Sequence, residues 1–164
     1  MFDDEDEKTI DPKKLPIYKK GQEIFEVVHQ IADLIPDDDE QLSDIKGWMM
    51  SDAMQLTVKV AGAEGGSLYD IKMEAATIIR KSARDLILHQ HLLKQFGFKN
   101  TEYFQIIRDL VEEYRLLFID WVASFDKWEY VIDRWGLFNP PGIGPHDHDP
   151  DEDIPFSGFD DFDD

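Results

Sequence analysis

Phe156, Phe159 and Phe162 stand three residues apart among Asp151, Glu152, Asp153, Asp160, Asp161, Asp163 and Asp164. Carboxylates steer a segment toward a basic surface, and single aromatics anchor it in an apolar pocket. With Ile154 and Pro155, these residues are the candidates for binding a protein partner. Such a segment buries too little apolar area to fold alone, so it is expected to be disordered until bound. The second candidate set is basic: Lys19 and Lys20, then Arg80, Lys81 and Arg84. Arg80 and Arg84 share a helical face at i, i+4 spacing, a weak signal for a nucleic-acid surface. Glu74 and Asp85 are placed to neutralise it by ordinary surface pairing.

Other chemistry is poorly supplied. Cysteine is absent, which removes disulfides and thiolate sites. His146-Asp147-His148-Asp149 offers metal-ligating groups, but four adjacent residues rarely close a site without a second cluster. A carboxylate-bridged metal pair in a bundle needs two Glu-x-x-His repeats, and only Glu26-Val27-Val28-His29 has the spacing. Gly65-Gly66 lacks the Lys and Ser/Thr context of a phosphate loop. No nucleophile and base can be paired. The expectation is a protein that is not an enzyme, with no cofactor and no metal.

The net charge of −19 over 164 residues is unevenly spread. Residues 1–11 carry −5 and residues 147–164 carry −9, which leaves −5 for everything between. Acidic ends of this kind do not repel nucleic acid as a whole acidic domain would; they can compete with it for a basic surface. Hydrophobic residues make up 42%, enough for a core. No apolar run approaches the ~20 residues of a membrane span. Met1-Phe2-Asp3-Asp4-Glu5-Asp6-Glu7 is the reverse of a signal peptide, so the expected location is the cytoplasm.

Four helices must position these groups. The first starts near Pro16, with Ile17, Gly21, Ile24, Val28, Ile31 and Ile35 on one stripe. The second runs from about Gln41 to Ala63 on Leu42, Ile45, Met49, Ala53, Leu56 and Val60, and a glycine of Gly62-Ala63-Glu64-Gly65-Gly66 is expected to close it in a left-handed turn. Ser67 is expected to cap the third, whose stripe reads Leu68, Ile71, Ala75, Ile78, Ser82, Leu86, His89, Leu93 and Phe96 up to Gly97. Asn100 or Thr101 is expected to cap the fourth, which continues through Tyr103, Ile107, Leu110, Tyr114, Leu117, Trp121, Phe125, Trp128, Ile132 and Trp135 to Gly136. Short connections predict an all-α, up-down-up-down antiparallel four-helix bundle with disordered acidic N- and C-terminal tails. The divisions are an acidic arm at 1–14, the bundle at 15–136, and a Pro/Gly linker with the acidic aromatic tail at 137–164.

Residues 15 to 125 resemble the four-helix-bundle family of 23S rRNA intervening-sequence proteins, related to the accessory variability protein of diversity-generating retroelements. The resemblance is carried by Tyr18-Lys19-Lys20, by the exit Ala32-Asp33-Leu34-Ile35-Pro36, by Val60-Ala61-Gly62-Ala63-Glu64-Gly65 and by Leu92-Leu93-Lys94-Gln95-Phe96-Gly97-Phe98. It implies a non-enzymatic homo-oligomer, often a pentamer. In the retroelement relative it implies basic surfaces for a reverse transcriptase and nucleic acid. Where family members often carry paired arginines, this chain reads Trp48-Met49-Met50-Ser51-Asp52, so a phosphate-binding role is not carried onto that helix. Asp151-Glu152-Asp153-Ile154-Pro155-Phe156 resembles the acidic tip of bacterial single-stranded-DNA-binding proteins, although that tip ends on its Phe and this chain continues.

The leading expectation is a non-catalytic oligomeric adaptor in a nucleic-acid-processing assembly, of which a reverse-transcriptase-associated one is the form the resemblance suggests, its tail binding a protein partner. The alternative is an acidic nucleic-acid mimic or inhibitor that occupies a basic DNA- or RNA-binding surface. A third reading is direct RNA binding by the bundle.

Overall fold

The structure, a computed structural model, describes residues 10–149. Four helices follow one another: α1 Pro16–Ala32, α2 Glu40–Glu64, α3 Tyr69–Gln95 and α4 Phe104–Ala123. Short 3-10 turns at Pro12–Lys14 and Thr101–Tyr103 precede α1 and α4. Among the described residues there is no strand.

Local chemistry sets most of the ends. Pro16 occupies the first turn of α1, where its missing N–H is no loss. The Asp39 carboxylate accepts from Leu42 N at 3.1 Å and caps α2. Gly97, at φ 97°, turns the chain out of α3 while Phe98 N donates to Leu93 O at 2.9 Å. Gly65 departs from expectation: its φ is −73°, so α2 ends without a left-handed residue. Ser67 does not cap α3 either; Leu68 precedes the helix without a side-chain cap. Asn100 precedes the Thr101–Tyr103 turn without a side-chain cap, Thr101 lies inside that turn, and α4 starts after Tyr103 without a side-chain cap, so neither expected residue caps it.

Directions follow from specific bonds. Between α2 and α3, Asp52 meets His89 and Glu64 meets Lys72, so the two helices run oppositely. Between α2 and α4, Leu56 meets Tyr114 and Glu64 meets Trp121, so these two run the same way. α1 packs on both α2 and α4. Lys20 meets Glu113, while Ile31 and Leu34 share a pocket with Tyr103 and Ile106, so α1 runs opposite to α4 and the helices alternate up and down.

The stripes of α1 and α2 are buried as their spacing predicts. Gly21 is needed for the α1–α2 approach: a Cβ there would lie 2.9 Å from Thr57 Cγ2 and 3.0 Å from Leu56 O. In α3 the expected Ala75, Ser82, Leu86 and Leu93 are buried, and the rest of the stripe is shifted. Tyr69, Ala76, Ile79 and Gln90 are buried, whereas Leu68, Ile71 and Phe96 are exposed.

The larger correction is the length of the fourth helix. It stops at Ala123 rather than near Trp135. Ser124 Oγ turns back to Trp121 O at 2.5 Å, and the Asp126 carboxylate accepts from Trp128 N at 2.9 Å. Such local side-chain bonds compete with helix continuation. Phe125 and Ile132 remain buried, so the apolar spacing beyond Ala123 marks anchors of a loop. That loop returns to the start of α3, where Tyr69 N donates to Glu129 O at 2.9 Å and Ser67 Oγ bonds Glu129 Oε1.

Candidate interaction surfaces

Three places outside the core gather groups capable of recognition. The first is the loop after α4. The Asp133 carboxylate accepts from Trp135 N at 3.0 Å, Leu137 N at 2.9 Å and Phe138 N at 2.8 Å. Asn139 returns two bonds to the Asp133 backbone, at 2.7 and 2.9 Å. The Arg134 guanidinium donates to the carbonyls of Pro145 at 3.1 Å and Asp147 at 2.7 Å. The Phe138 amide above all, with those of Leu137 and Trp135, holds the Asp133 carboxyl below its ordinary pKa. On this bonded framework, Trp128 is 90% exposed, Trp135 91% and Leu137 75%. Trp is the residue type most enriched at interface hot spots, and large exposed apolar side chains on ordered backbone are unusual on a protein surface. The sequence marked Trp128 and Trp135 as part of a helical stripe; the Asx bonds that turn them outward are visible only in three dimensions.

The second is a groove between α3 and α4 of about 540 Å³. Ile79, Ala83, Ile87, Val111, Phe118 and Ile119 give it an apolar bed, with Arg80, Arg84 and Arg115 also in its lining. Glu112 holds Arg115 through two bonds, at 2.9 and 2.6 Å. Arg80 and Arg84 are exposed and make no ion pair among the described residues. The neutralisation expected from Asp85 goes instead to Lys81, at 2.5 Å. Of the basic candidates, Lys20 is also committed, bonded at 2.7 Å to both Glu113 and Glu23; these bonds raise its pKa, Glu113 first. Lys19 is exposed on α1. The structure thus joins Arg80 and Arg84 to an apolar groove and separates them from Lys20 and Lys81, which are spent on acids.

The third is a polar contact between α2 and α3. His89 Nδ1 lies 2.6 Å from Asp52 Oδ2, with Trp48 at 5.5 Å between ring centroids. Burial raises the Asp52 pKa, and the His89 hydrogen bond and charge offset part of that. The sequence placed His89 in packing; Asp52 as its partner was missed because the α2–α3 register is not written in either helix. Next to it, Gln90 is fully buried and its amide has no partner among the described residues. His91 points elsewhere, 3.0 Å from Arg108.

The tail candidates Asp151, Glu152, Asp153, Ile154, Pro155, Phe156, Phe159 and Phe162 lie outside the described residues. Of the His146–Asp149 cluster, Asp147 bonds Gly144 N at 2.8 Å. Among the described residues no three His, Asp or Glu side chains are grouped to hold a metal ion, and no helix is long and apolar enough to cross a membrane. No protein-family model matches the chain, and no curated protein matches it.

Proposed function

We propose that this protein is a non-catalytic docking adaptor. The bundle displays a tryptophan platform, and the acidic aromatic segment that follows binds the same protein partner. The observation that carries the reading is the near-complete exposure of Trp128 and Trp135 on a loop fixed by Asp133 and Arg134. Exposing large aromatics on ordered backbone is unfavourable for an isolated solution protein and favourable for an interface. Carboxylates beyond the platform steer the encounter, and Phe156, Phe159 and Phe162 anchor it.

The nucleic-acid setting of this adaptor rests on the resemblance of residues 15 to 125 to the intervening-sequence family. So does assembly as a homo-oligomer, with a pentamer as the family's frequent form. Met54 and Val58 on α2 and Ile106 and Leu116 on α4 are exposed apolar side chains available to such contacts.

Capture of partners by the full chain, compared with Trp128→Ala/Trp135→Ala and with Phe156→Ala/Phe159→Ala, tests the reading. Both variants keep the net charge, and both should lose the partner. Retention by both, together with a steep loss of binding in salt, would instead favour the acidic mimic. Light scattering on the full chain measures the oligomer.

A further inference from the structure

From the α3–α4 groove we infer that it is a docking site for the chain's own C-terminal segment, Pro150–Asp164. This rests on the reading of that segment as the partner-binding element, and it adds regulation to it. Three observations converge.

The first is chemical fit. The groove pairs an apolar bed with Arg80 and Arg84, two exposed cations that no described acid neutralises. Residues 150–164 pair seven acids and no base with Ile154, Phe156, Phe159 and Phe162. Phe side chains suit the bed formed by partly exposed Ala83, Ile87, Val111 and Phe118, and carboxylates suit the guanidinium groups in bidentate geometry.

The second is packing. α3 and α4 approach each other less than the other neighbouring pairs of helices do, which leaves Ile119 half exposed beside partly buried Val111 and Phe118. A cleft of this kind leaves apolar side chains in water, so covering it is favourable.

The third is reach. The post-α4 loop is tied to the first residue of α3 by the Tyr69–Glu129 bond. From there Ile79 is ten residues along α3, roughly 15 Å. The segment leaves at Asp149, just past Asp147, whose carbonyl is bonded to Arg134 in the same loop as Glu129, and the chain from Asp149 to Phe159 extends up to about 35 Å. A tethered segment also meets its site at an effective concentration on the order of mM, so modest affinity suffices for occupancy. A partner that binds the tail must then displace it from the groove, which makes the groove autoinhibitory.

Phe159 replaced by the photo-crosslinking residue benzoylphenylalanine in the full chain tests this. Irradiation should join position 159 to groove residues of the same molecule, with mixed isotope-labelled protein separating intra- from intermolecular products. Arg80→Gln/Arg84→Gln should lower the yield about fivefold or more with helix content unchanged by circular dichroism. The same variant should bind a tail-binding partner severalfold more tightly, because the competing site is weakened. Crosslinks elsewhere, crosslinks between copies, or a yield insensitive to both arginines would each overturn the inference. Partner capture through the Phe residues, measured separately, can succeed while the crosslink fails, and the reverse also holds. The two readings therefore fail independently.

Discussion

The Tyr114 hydroxyl donates to the Leu56 carbonyl at 2.8 Å, joining the middle of α4 to a backbone oxygen inside α2. Tyr114 is 2% exposed, and burial holds its phenol protonated far above the ordinary value. The ring supplies core volume and the hydroxyl fixes the axial register of the two helices. Tyr114→Phe keeps the ring and removes the bond. It should lower stability by about 1 kcal/mol, read as a lower urea midpoint with an unchanged slope.

Two helix glycines should respond oppositely to alanine. Gly47 meets nothing within 4 Å, so Gly47→Ala should stabilise by about 0.5–1 kcal/mol through helix propensity. Gly21→Ala gains the same propensity but drives a Cβ against Thr57 and the Leu56 carbonyl. Overpacking of about 1–3 kcal/mol should dominate and lower the thermal midpoint. Thr57→Ser, which removes Cγ2, should restore part of the loss.

Gln90 is 0% exposed with neither amide atom partnered among the described residues. An unmet buried amide is destabilising by about 1–3 kcal/mol, and Met matches its length without the polar atoms. Gln90→Met should therefore raise the thermal midpoint. An unchanged or lower midpoint would show that the amide is satisfied.

Asp52 gives a pH signature. Burial raises its folded pKa above the ordinary 3.8, with His89 the main opposing influence. The folded state therefore binds the proton more tightly than the unfolded chain. The contribution is full below the unfolded pKa and is lost as pH rises through the folded one. Asp52→Asn lacks this titration. Its stability relative to the parent should improve as pH is raised from about 4 to about 7.

The Asp133 hub titrates with the opposite sign. Its folded pKa is lowered, chiefly by the Phe138 amide, so its contribution is present above the unfolded pKa and lost as pH falls through the folded one. Asp133→Ala releases the amides of Trp135, Leu137 and Phe138. Hydrogen exchange at those amides should accelerate at least tenfold, while α1 and α2 keep their protection.

The residues explain how much of this was legible in the sequence. α1 and α2 were, because Ile17 to Ile35 and Leu42 to Val60 carry unbroken apolar 3- and 4-residue steps facing one core. α3 was read one residue out of phase at Leu68, Ile78 and His89: Tyr69 and Ile79 fill a core as well as the residues before them, and buried Gln90 carries no apolar signal. In α4 the rhythm of Phe125, Trp128, Ile132 and Trp135 persists where the backbone is no longer helical. Two of those residues anchor a loop and two stand in solvent. Arg80 and Arg84 were legible as a pair, but Val111, Phe118 and Ile119 across from them were not. Adjacency between α3 and α4 is a product of tertiary packing. The Asp52–His89 bond was hidden for the same reason.

The bond from Tyr69 to Glu129 also orders events during synthesis. The first amide of α3 leaves the ribosome well before the carbonyl that will receive it, with all of α3 and α4 translated between them. Until then the α2–α3 corner is held by its own turn bonds and by Lys72, which reaches the Gly66 carbonyl and Glu64, and Glu129 arrives as a late clasp. A nascent chain arrested just after α4 should hold all four helices yet keep that corner frayed, and release past residue 129 should lock it.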